Sequence, residues 1–137
     1  MKKALVAVLL VVSSSSYACS FKTSDTEDIR EVVRQRGGYP ISDEVCNFLN
    51  QQGLALSVTA NSTVLAGVST AWVVINLTKL KTGVVSDTYR YSTKVNTSVA
   101  SQDTANAMLY EGIKETVAAF DFVKAANEVK GYLAKRK

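Results

Sequence analysis

The sequence predicts an α+β fold of two layers, a small antiparallel three-stranded meander with helices packed on one face, in the order α-α-β-β-β-α. Three observations carry this prediction. Apolar residues recur at spacings of three and four before Gly53, and again from Ser101 onward. Between these stretches, from Leu54 to Asn96, the period falls to two. Two turn signals, Ala66-Gly67 and Lys81-Thr82-Gly83, divide that middle stretch into three β-rich runs.

The N-terminus reads differently from the rest. Lys2 and Lys3 precede the apolar run Ala4 to Val12, which is followed by Ser13 to Ser16 and then Tyr17-Ala18-Cys19. A basic start, an apolar stretch and a small-x-small cleavage site make a secretory signal peptide over 1–18. Residues 19–137 are then expected to form a single small α+β domain. The apolar run is about nine residues, where a span needs roughly 20. The short basic start has a bacterial look, so the expected location is the periplasm. Cleavage after Ala18 takes Lys2 and Lys3 away and lowers the formal charge from +4 to +2. The isoelectric point near 9.1 therefore overstates how basic the exported chain is.

The two cysteines, Cys19 and Cys46, are expected to pair in an oxidising compartment. That bridge is worth roughly 3 kcal/mol by chain entropy. The alternative is acylation of Cys19 in an outer-membrane lipoprotein with a structural role. Only Ala18 fits a lipobox, because Ser16 stands where an aliphatic residue is usual.

Each element has its own local reasons. Ser24-x-x-Glu27 has the form of a capping box ahead of Ile29, Val32 and Val33, and Gly37-Gly38 stops the chain, which predicts a helix over 25–36. Tyr39-Pro40 forces extended backbone. Ser42 caps a second helix over 43–52, with Asp43 and Glu44 at its positive end and Gly53 after it. Leu54 to Val64 alternates as a half-buried strand, and Ser69 to Leu80 and Val84 to Asn96 follow as a hairpin. A two-residue loop, Thr82-Gly83, would set Ile75 against Arg90. A three-residue loop with Gly83 in the left-handed region sets Ile75 against Tyr89 and Val73 against Tyr91. The second register is the expected one, because it gathers Ala71, Val73, Ile75, Tyr89 and Tyr91 on one core face. From Ser101 the helical spacing returns as a last helix, in which Gly112 weakens the middle or lets a strand approach, and Asp121 caps a fresh turn at a bend.

Composition removes many chemistries. The chain has no histidine, so Ser-His-Asp and Cys-His sites and histidine-ligated metals are out. Two cysteines cannot hold zinc alone. No phosphate-binding glycine motif is present. No cofactor is expected. The acidic residues Asp25, Glu27, Asp28, Asp43 and Glu44 cluster where helices begin and read as dipole compensation. Asp87, at a strand end, differs from these, and a carboxylate-dependent hydrolase is a minor alternative. The modest charge, spread over several elements, argues against nucleic acid. The tail Lys135-Arg136-Lys137 offers at most a peripheral contact with anionic lipid head groups. Asn61-Ser62-Thr63, Asn76-Leu77-Thr78 and Asn96-Thr97-Ser98 match the glycosylation pattern by chance.

What remains is a non-enzymatic binding or interaction protein, such as an inhibitor or immunity-type protein or an envelope assembly factor. The expected register places Trp72, Val74 and Arg90 together on the sheet face away from the core. An indole beside a guanidinium is a common anchor for a protein partner in the cell envelope.

Overall fold

The computed structural model describes residues 19–135. The signal-peptide reading of 1–18, and Arg136 and Lys137 of the basic tail, lie outside the described residues. The fold is α+β, with four helices on one face of a five-stranded mixed sheet.

A short strand, β1 (Lys22–Ser24), pairs in parallel with β2 (Ala55–Leu65) at one sheet edge. Between them run α1 (Glu27–Gln35) and α2 (Asp43–Gln52). Helix α1 buries Ile29, Val32 and Val33 as its spacing requires, but its N-cap is Thr26 and no side chain caps it. Ser24 belongs to β1, so the capping box does not form. Asp25 has a different task. Its buried carboxylate accepts from Arg30 Nη2 at 2.6 Å and from the Tyr39 hydroxyl at 2.5 Å. Burial, then this bond to Asp25, pushes the Tyr39 phenol well above its ordinary value.

Helix α2 keeps the expected bounds. Ser42 Oγ accepts from Val45 N at 3.2 Å, and Gly53 closes the other end at φ +61° with Leu54 N bonded to Leu49 O at 3.0 Å. Cys46, buried on this helix, is bonded to Cys19 with Cα atoms 6.1 Å apart. The Cys19 sulfur that acylation would need is therefore in the bridge.

Ala66 and Gly67, both at positive φ, make a two-residue turn from β2 into β3 (Val68–Lys79), so that Leu65 pairs with Val68. β3 is the central strand. On its far side it pairs first with β4 (Val84–Val85) and then with β5 (Arg90–Asn96).

Here the expected register is wrong. Lys79 pairs with Val84, leaving a four-residue loop rather than three, although Gly83 does sit at φ +68°. Thr78 then pairs with Val85 while Ile75 pairs with Arg90, so four residues, Ser86 to Tyr89, stand against two, Leu77 and Asn76. This wide bulge is fastened from several sides. Ser86 Oγ accepts from Leu77 N and donates to Thr88 O. Glu128 accepts from Thr88 N and Thr88 Oγ1, both at 2.7 Å. The Tyr132 hydroxyl donates to Asp87. Tyr89 and Tyr91, expected in the core, are exposed.

The last two helices close the core. Ser101 caps α3 (Gln102–Ala118) and Asp121 caps α4 (Phe122–Ala134), each accepting from a backbone N–H three residues on. Helix α3 lies tight on the sheet at Gly112, where a Cβ would come within 3.1 Å of Val73 Cγ1. Leu56, Val58, Ala71, Val73, Ile75 and Leu77 meet apolar residues of all four helices in one core. No helix among the described residues is long and apolar enough to cross a membrane.

Candidate binding face

Strand alternation sends every second side chain to the face that no helix covers. The pairings build a grid there. Thr59, Val74 and Tyr91 form one row, Asn61, Trp72 and Thr93 the next, and Thr63, Thr70 and Val95 the third. At strand spacings this grid spans roughly 300 Å² before side-chain relief. Trp72 is its centre and is 41% exposed, while Tyr91 is 69% and Val95 62% exposed. Leu65, 63% exposed, extends the patch past the third row. None of the nine grid residues carries a charge.

The structure brings Trp72 and Val74 together as the sequence suggests, but Arg90 does not join them. Paired with buried Ile75, Arg90 points to the helix side, where its Nε donates to Ala119 O at 2.9 Å. That bond satisfies a carbonyl at the C-terminal end of α3. Tyr91 takes the place beside Val74 that Arg90 was assigned. The sequence reading missed Tyr91 because it treated Val84 to Asn96 as one unbroken strand. Ser86-Asp87-Thr88 was the available signal, since these residues favour turns over strands.

Asp87 lies in the bulge, not within a strand. With Tyr89, Arg90, Asp121, Lys124 and Glu128 it lines an open groove of about 480 Å³. Hydrogen bonds from the Thr88 backbone and hydroxyl hold the Glu128 carboxyl below its ordinary range. A carboxylate kept ionised by such bonds fastens the bulge to α4 and is poorly placed to donate a proton. The bond to Asp87 raises the Tyr132 phenol. On the helix side of β5, Glu115 accepts from Ser92 and Lys94. The carboxylates at helix starts sit as expected, with Glu27 and Asp28 in the first turn of α1 and Asp43 and Glu44 in that of α2. Among the described residues no cluster of acidic or sulfur side chains is placed to hold a metal ion.

No family model matches the chain, and no curated protein or solved structure matches it either.

Proposed function

We propose that this chain is an exported periplasmic binding protein without a catalytic role, and that it takes a protein partner of the cell envelope on its bare sheet face. The observation that carries this reading is the uncovered, uncharged grid around Trp72. A large indole held on a rigid strand and ringed by threonine and asparagine has the anatomy of a binding anchor, with an apolar centre and a hydrogen-bonding rim. A face free of charge also selects against strongly charged partners, because covering their ions would remove them from water uncompensated.

The test is capture from an envelope extract by the exported chain and by its Trp72→Ala variant. Truncating a central aromatic anchor costs about 2 kcal/mol or more, roughly thirtyfold in affinity. The expected result is a partner retained by the parent chain and lost by the variant, with the thermal midpoint nearly unchanged. Equal capture by both chains would exclude the Trp72 face. Mass spectrometry of the mature N-terminus tests export in parallel: cleavage after Ala18 with Cys19 linked to Cys46 is expected, and a diacylglyceryl adduct on Cys19 would contradict it.

A further inference from the structure

We propose that two copies of this chain pair antiparallel along β5, about a two-fold axis at Thr93, and so join their sheets into one. The two-residue turn makes Leu65 and Val68 a hydrogen-bonded pair, so even-numbered residues of β3 turn their N–H and C=O toward β2. Odd-numbered residues turn theirs toward the other side, as the bond from Ser86 N to Leu77 O at 2.9 Å shows. Arg90, Ser92, Lys94 and Asn96 stand opposite those odd residues and are bonded to them. Tyr91, Thr93 and Val95 must therefore direct their N–H and C=O outward, and among the described residues β5 has no strand neighbour on that side.

Natural sheets protect such edges with shortness, proline, bulges or inward charge. The opposite edge is the three-residue β1 and, past it, Val58 to Leu65 of β2, where Gln102 Nε2 of α3 donates to Ser62 O. On this side the bulge protects only the stretch before Arg90. From Arg90 to Asn96 there is no proline and the pairing is unbroken. The one inward lysine within it, Lys94, has its ammonium held by Glu115 at 2.6 Å.

The sequence of β5 complements itself in one register. With Thr93 opposite its own copy, Tyr91 faces the partner's Val95, an aromatic and a β-branched residue on the same face. Lys94 then faces the partner's Ser92 and Arg90 the partner's Asn96, so no like charges are opposed. All three outward residues of each copy gain both of their backbone bonds. Strand pairing alone covers less than the roughly 1,600 Å² of a standard interface, so the dimer forms reversibly and only at raised concentration. The seam shares Tyr91, Thr93 and Val95 with the border of the Trp72 grid but is made by their backbone groups, so the Trp72→Ala capture test does not decide it.

The experiment is sedimentation equilibrium of the exported chain from about 1 to about 500 μM, a range that spans weak association, with amide exchange read at both ends. A concentration-dependent dimer is expected, with exchange at Tyr91, Thr93 and Val95 slowing as it forms. Thr93→Pro removes an outward N–H that the monomer does not use and should shift the midpoint at least tenfold upward. Thr93→Lys sets two ammonium groups side by side on the axis. It should weaken the dimer in a way that salt relieves, and it serves if the proline variant does not fold. A monomer throughout the range overturns the proposal, as does a dimer that both substitutions leave intact.

Discussion

The two faces of the sheet come from the same strands and share almost nothing else. On the covered face Val73, Ile75 and Leu77 are buried under α3 and the other helices, and α3 approaches closely enough at Gly112 that a methyl group there would lie 3.1 Å from Val73 Cγ1 and push it aside. On the bare face Val74 and Trp72, the sequence neighbours of those residues, meet solvent over threonine and asparagine. The covered face is specified by packing, and any change of volume there is felt throughout the core. The bare face is specified only by alternation, so its composition is free to serve something other than folding. That freedom makes an exposed tryptophan informative at this position.

The comparison can be broken by substitution, and the largest effect belongs to the covered side. Ile75→Ala should cost about 2–5 kcal/mol in denaturant unfolding; a loss no greater than that of Val74→Ala would mean the faces are wrongly assigned. Next comes the bridge that anchors α2 to the segment before β1. Reduction of Cys19–Cys46 should lower stability by roughly 3 kcal/mol, read as a fall in the urea midpoint on adding reductant. Gly83→Val forces a β-branched residue into φ +68° and should cost more than about 1 kcal/mol. A neutral result there would place the turn in another conformation. The smallest stability change expected is on the bare side, where Trp72→Ala should cost less than any of these, and a loss matching Ile75→Ala would erase the contrast.

The bulge between the faces gives a pH-dependent form of the same test. Glu128 is held below its ordinary pKa by Thr88, so its contribution is fully present above the unfolded value near about 4.3. It is lost as pH falls through the lower, folded value. Glu128→Gln should therefore reduce stability at neutral pH and flatten the acid limb of the stability curve. An unchanged acid limb would show that the bulge does not depend on this carboxylate.

Much of this was legible in the sequence. Ser42 and Gly53 bounded α2, Ser101 opened α3, Asp121 marked a bend that proves to be the start of a separate α4, and Ala66-Gly67 made its turn, because each signal acts through bonds within a few residues. The buried set Ala71, Val73 and Ile75 was legible through its period of two. What failed depended on distant partners. β1 is three residues without a pattern of its own, and is a strand only because β2 lies beside it. The bulge keeps its shape through Glu128 and Tyr132, some forty residues further along the chain. Arg90 was misplaced for that reason, and Tyr91 was overlooked with it.

The bridge also governs the order in which the sheet can be completed. β1 is the first element among the described residues, yet its partner β2 follows only after α1 and α2, so it docks by returning across a long connection. Cys19 and Cys46, 27 positions apart, both precede β2. Once linked, they tether β1 to α2, whose end at Gly53 leads straight into Ala55. The strand is then presented to its partner at a high effective concentration instead of searching for it untethered. Without the tether, the rim of β2 that β1 occupies would spend part of its time vacant, and a vacant rim is open to strands from other molecules. The Cys19–Cys46 bond thus bears on how firmly the first three positions of β2 are covered.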